Sequence, residues 1–147
     1  MEKILKIEEY ELPNYKGCSW QTLVGYKITT DKQEIIVGIE NDQACCENWG
    51  YFMSEDDFKK FIGSELMDVR LTDELNKDVD LKSKVKDILI EEVDGVSKLD
   101  LYCGGAMFVD FVTRDGVLQF VAYNEHNGYY GHSACVVSTQ VKHEVVL

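Results

Sequence analysis

The sequence predicts an α+β fold, a mainly antiparallel β-sheet or open barrel with one short helix packed on it. Three observations predict it. Runs of β-branched and aromatic residues recur along the chain, separated by short polar turns at Asp31-Lys32, Asp94-Gly95, Asp115-Gly116 and Asn127-Gly128. One stretch, from Ser54 to Gly63, carries both a helix start and a helix stop. The 147 residues contain no internal repeat, linker or low-complexity segment, so a single domain over residues 1–147 is expected.

Residues 3–11 alternate loosely through Ile4, Leu5, Ile7 and Tyr10, which suits an edge strand or a short helix. Pro13-Asn14 and Gly17 then break the chain. Residues 22–30 and 33–40 are dominated by β-branched side chains and joined by a short polar turn, the pattern of an antiparallel pair. Next comes the best helix signal. Ser54 is placed to cap, with Glu55, Asp56 and Asp57 at the positive end of the helix dipole. Met53 and Phe58 form the expected staple, Phe58, Phe61 and Ile62 share a face, and Gly63 ends the helix.

Residues 66–71 alternate as a strand, whereas 72–85 are polar and read as a loop or irregular insertion. Strands are expected at 86–93 and 98–103 about Asp94-Gly95, and at 106–113 and 117–123 about Asp115-Gly116. The last two span about 129–137 and 140–146.

With a net charge of −12, the chain has no general attraction for nucleic-acid phosphate. No direct nucleic-acid partner is expected, and the charge either attracts a basic protein surface or serves solubility alone. Mimicry of a DNA phosphate row is a poor fit, because Lys82, Lys84 and Lys86 interrupt the acids. No apolar run approaches the roughly 20 residues of a membrane helix, so no membrane partner is expected. The start, Met1-Glu2-Lys3-Ile4-Leu5-Lys6, lacks the apolar core of a secretory signal. Five cysteines form no closed disulfide set and no C-x-x-C pair. Reduced thiols in a cytoplasmic protein are the expectation.

Two stretches stand out as candidate site residues. One is Cys45, Cys46, Glu47, Asn48 and Trp49, followed by Gly50. The other runs from Tyr123, Asn124, Glu125 and His126 through Asn127-Gly128-Tyr129 to Tyr130 and His132. The tyrosines, tryptophan and histidines offer flat apolar faces with polar tips, and Asn48, Asn124 and Glu125 offer directional hydrogen bonds, as binding pockets use. The alternative is that Asn, Gly and His here only build a tight turn, with the tyrosines packing on the sheet. Read as a two-residue hairpin, Asn127-Gly128 sets Asn124 opposite Gly131 and Tyr123 opposite His132. His126 and His132 then lie on opposite faces, and Cys45 and Cys46 are adjacent, so the four make a poor zinc set and no metal is expected. A cysteine nucleophile with a histidine base has the right residue types but no recognisable orienting carboxylate or oxyanion hole. No cofactor motif is present.

The two stretches, together with Ser54-Glu55-Asp56-Asp57 and Phe61-Ile62-Gly63, resemble small phage and prophage proteins grouped as a domain of unknown function. The resemblance covers about residues 20–140. It implies a bacteriophage or mobile-element origin in Gram-positive bacteria, and it implies no activity and no site residues.

The expected function is therefore that of a non-enzymatic acidic binding protein, a phage factor that inhibits a host protein such as a defence nuclease. One alternative is a protein that sequesters a small nucleotide-like ligand, with aromatic faces stacking on the base. A zinc-binding or cysteine-dependent enzyme is the other.

Overall fold

The computed structural model describes residues 1–17, 21–41, 47–76, 79–85, 88–101, 103–126 and 131–147. The N-terminal strands follow the sequence pattern. β1 (Ile4–Pro13), β2 (Thr22–Thr30) and β3 (Glu34–Glu40) pair antiparallel in succession, with Ile7 opposite Ile28 and Tyr26 opposite Val37. The Thr30 hydroxyl closes the β2–β3 turn by accepting from the N–H groups of Lys32 and Gln33 at 3.1 and 3.0 Å. The break after β1 is real, for Asn14, Lys16 and Gly17 all adopt positive φ.

β4 (Asn48–Met53) follows, then β5 (Leu66–Thr72), the short helix α1 (Leu81–Lys84), β6 (Leu89–Val93) and β7 (Val96–Asp100). β8 (Gly105–Thr113), β9 (Gly116–Glu125), β10 (Ser133–Val137) and β11 (Lys142–Val146) complete the described elements. They form two main sheets in place of the expected one, and neither closes into a barrel. The first has the order β1-β2-β3-β10-β11, the second β4-β9-β8-β5, and β6-β7 is a separate hairpin. Val24, Ile28, Val37, Ala134 and Val136 of the first sheet share one core with Met53, Val109, Phe111, Phe120 and Ala122 of the second. The outer face of the second sheet is covered too. Phe52, Val121 and Tyr123 pack there with Leu81, Val85 and Ile88, and Ile90 and Leu99 of the hairpin join them. β9 is consequently buried on both faces from Leu118 to Asn124, which explains its near-continuous apolar run.

Two expectations are corrected. No α-helix begins at Ser54. Its N–H donates to Gln119 O (2.8 Å) and its hydroxyl accepts from Gln119 N–H (2.9 Å), which prolongs the β4–β9 ladder. Downstream, Gly63 N–H donates to Ile4 O (2.7 Å) and Ile4 N–H to Ser64 O (3.0 Å), so both ends of the stretch are tied to distant strands. Between them Phe61 and Ile62 N–H close only a local turn onto Phe58 O. Phe61 is fully buried and Phe58 packs on the core, but Ile62 is exposed. The one short α-helix described lies instead at Leu81–Lys84, within the stretch expected to be irregular. The second correction is that β9 and β10 make no hairpin. β9 already has β4 on one edge and β8 on the other, while β10 sits between β3 and β11. No helix among the described residues is long and apolar enough to cross a membrane.

Aromatic rings bind the two sheets near β2. Tyr26 stands edge-on to Tyr51 at 5.8 Å, to Phe58 at 5.9 Å and to Phe120 at 6.2 Å. Burial pushes its hydroxyl up to about 12, with Glu9, Tyr51 and Asp56 adding to the effect. A phenol whose folded value lies above the ordinary value of about 10 holds its proton more tightly when folded. Its contribution is complete below about pH 10 and is lost as pH rises through about 12. The urea midpoint is therefore expected to fall over that window, and Tyr26→Phe to flatten the fall. An unchanged alkaline slope in Tyr26→Phe would assign the loss to other groups.

Candidate functional site

The two unusual stretches meet because β4 and β9 are neighbours. Asn48 lies opposite Glu125, and Trp49 opposite Asn124. Trp49 and Asn124 share the parity of Met53, Phe120 and Ala122, so they point between the sheets. From the other sheet comes His132, just ahead of β10. It prolongs the β10–β11 ladder, accepting from Leu147 N–H at 2.8 Å and donating its own N–H to Leu147 O at 3.1 Å. That register turns its ring to the inner side, as for Ala134 and Val136. Glu47, just ahead of β4, reaches into the gap.

Glu47 Oε2 lies 2.5 Å from His132 Nδ1. The same oxygen accepts from Asn124 Nδ2 at 3.2 Å, and Asn124 Nδ2 also donates to Leu147 O at 3.1 Å. The Trp49 indole stacks on the imidazole, with centroids 4.9 Å apart and planes 29° apart. The Glu47 and His132 side chains are each 2% exposed, and Asn124 is fully buried. Burial of a carboxylate is tolerable only where polar partners surround it, and Asn124 donates to it while the His132 imidazole lies in close contact. The cluster thus bolts one sheet to the other at the end of the sandwich.

The sequence signature of one family matches residues 1–136, a stretch that includes all four of these side chains. The chain belongs to that family, described as Domain of unknown function (DUF7448). No curated protein and no solved structure matches it.

The other candidate residues of this DUF7448 chain are placed differently. Tyr123 points to the opposite face of β9 and packs at 6.3 Å from Phe52, where burial raises its phenol. Asn48 and Glu125 are half-buried partners across the ladder. His126 lines a cleft of about 420 Å³ with Cys103, Gly104, Gly105 and Leu147. Cys45, Cys46 and Tyr130, with the Asn127-Gly128 turn, lie outside the described residues.

The expected register is overturned. Tyr123 faces Gly50 and Ala106 rather than His132, and Asn124 faces Trp49 and Gly105 rather than Gly131. Asn124 and His132, assigned to opposite faces of one hairpin, meet because they approach from different sheets. Among the described residues no three His, Cys, Asp or Glu side chains gather to hold a metal ion.

Three contributors escaped the sequence reading. Leu147 acts through its main chain and leaves no side-chain signal. Gly104 is required because a Cβ there would lie 1.8 Å from Asn124 O. Gly50 fits beneath the Tyr123 hydroxyl, which would lie 2.5 Å from a Cβ. The Gly104-Gly105 and Trp49-Gly50 pairs were the available hints.

Proposed function

We propose that this chain is a non-enzymatic acidic binding protein, encoded by a phage or mobile element, that engages and inhibits a host protein with a basic surface in the bacterial cytoplasm. The observation that supports this reading is the Glu47–His132–Asn124–Trp49 cluster. Its carboxylate, imidazole and amide are buried against one another and half-buried Trp49 stacks over the imidazole, an arrangement suited to bracing a surface rather than to attacking a substrate. Half-buried Asn48, Glu125 and His126 lie at the rim of that brace and are the residues offered to a partner. The net charge of −12 favours a basic one.

Capture of the tagged chain's partner from a Gram-positive host lysate, followed by binding kinetics at rising salt, tests the reading. The association rate is expected to fall most as ionic strength passes about 0.1 M, where screening reaches about 10 Å. Binding that ignores salt would contradict a basic partner.

A second reading has its own observation. Asn124 Oδ1 and Trp49 Nε1 are buried without a hydrogen-bond partner among the described residues, and buried polar atoms are ordinarily paired. A small polar ligand such as a nucleotide would satisfy them. Native mass spectrometry of protein purified from the host distinguishes this reading by a retained small molecule.

A further inference from the structure

A cleft of about 500 Å³ lies away from the buried cluster, between the β6–β7 hairpin, residues 73–75 and the outer face of β8. Its floor is apolar, made by half-buried Leu75, Leu99, Leu101 and Phe108. Its rim is acidic. Asp73, Glu74 and Asp94 are exposed and form no ion pair among the described residues, against the single cation Lys98. The acidic wall is anchored, because Gln119 Nε2 donates to Glu74 O at 2.8 Å and Gln119 Oε1 accepts from Asn76 N–H at 2.9 Å.

One side of the cleft is a strand edge. Val96, Ser97, Lys98 and Leu99 all line it, and consecutive strand residues alternate faces, so what they present in common is the backbone of β7. β7 pairs only with β6 among the described residues. The hairpin turns through Asp94 and Gly95, both at positive φ, and closes with Val93 opposite Val96. In such a two-residue turn the closing pair exchanges both hydrogen bonds, and bonded and non-bonded pairs then alternate. Ser97 and Leu99, opposite Glu92 and Ile90, fall in the non-bonded pairs. Their N–H and C=O groups point away from β6, along the free edge.

We propose that this cleft binds an extended basic segment of a partner protein as an added strand on β7. One apolar side chain of the segment rests on the Leu75–Phe108 floor, and Lys or Arg side chains meet Asp73, Glu74 and Asp94. Main-chain bonds to Ser97 and Leu99 supply register, and the floor and rim supply selectivity. The proposal rests on the reading of the chain as a binder of basic proteins, but it assigns a surface other than the rim of the buried cluster.

The test uses the full chain and a fluorescent, end-blocked heptapeptide that alternates Lys with Val. Its Kd is expected to rise at least about tenfold in Asp73→Lys/Glu74→Lys, and similarly when alternate peptide amides are N-methylated. Reversal of two exposed acids elsewhere, Glu34→Lys/Asp68→Lys, is expected to leave it within about twofold. Hydrogen exchange at Ser97 and Leu99 should slow on binding. The proposal is overturned if the Glu-Val counterpart or the N-methylated peptide binds as tightly, if the distant reversal is equally damaging, or if the Lys-Val peptide fails to bind. A dimer that competes with the peptide would assign the edge to a second copy of this chain and also overturn it. A captured host protein whose binding ignores Asp73→Lys/Glu74→Lys would sink this proposal and leave the proposed function standing. Cleft-dependent peptide binding with no basic host partner would do the reverse.

Discussion

Gly25→Ala is expected to cost on the order of 3–5 kcal/mol, enough to leave a chain of this size largely unfolded in mild urea. Gly25 of β2 lies directly opposite Gly38 of β3. A Cβ built on Gly25 would lie 2.0 Å from Val37 O and 2.6 Å from Gly38 Cα. Both obstacles are backbone, so no side-chain rotation relieves the clash. Separating the strands would break the ladder that joins β1 and β2 to the rest of the first sheet. Gly38 is the reciprocal case, with Val24 O at 2.5 Å. Neither glycine is at positive φ, so the requirement is closeness of approach and not turn conformation. Gly105→Ala is the control, since its nearest obstacle is Leu147 Cδ2 at 3.5 Å, an ordinary contact. Urea midpoints of the three proteins decide the matter. A Gly25→Ala midpoint equal to that of Gly105→Ala would show that β2 and β3 can part there at little cost.

The parts of the fold that were legible share a property: their partners are near in sequence. β2 and β3 are joined by a short turn, and the turns at Asp94-Gly95 and Asp115-Gly116 each connect strands that do pair. Asp94 and Gly95 have the positive φ values that such turns demand. The failures have the opposite property. Ser54 had a good local reason to start a helix, but Gln119 and Ile4 supply competing partners from 65 and more than 50 residues away. Asn127-Gly128 suggested a hairpin with equal force, yet nothing local reveals that both edges of β9 are already occupied. The same limit governed the candidate cluster. Glu47, Trp49, Asn124 and His132 were visible as unusual residues, but their meeting depends on β4 pairing with β9 and on one sheet stacking over the other. Periodicity within a strand carries no record of that stacking. The cleft beside β7 was invisible for a related reason, since it is formed by three segments whose residues each look like ordinary surface.

Removing Glu47 is expected to cost about 3–5 kcal/mol, the lost polar partner and the void it leaves adding together. Glu47→Ala removes the carboxylate in contact with His132 Nδ1, withdraws one acceptor from Asn124 Nδ2 and leaves a void beside the imidazole. Glu47→Gln keeps an oxygen in place and loses only the charge, so a smaller cost of about 1–3 kcal/mol is expected. His132→Ala leaves the carboxylate buried with Asn124 as a remaining donor, and it should approach the cost of Glu47→Ala. The two changes are not independent. Once either partner has gone, the other is already compromised, so Glu47→Ala/His132→Ala should cost less than the two singles added, by about 1–3 kcal/mol. Trp49→Ala should be non-additive with His132→Ala in the same way, because the rings stack. The cycle is read by urea denaturation at neutral pH, with Glu47→Gln/His132→Gln as the gentler version should the alanine variants fail to fold. Strict additivity in both versions would mean that these side chains do not touch in solution, and the bolt between the sheets would have to be sought elsewhere.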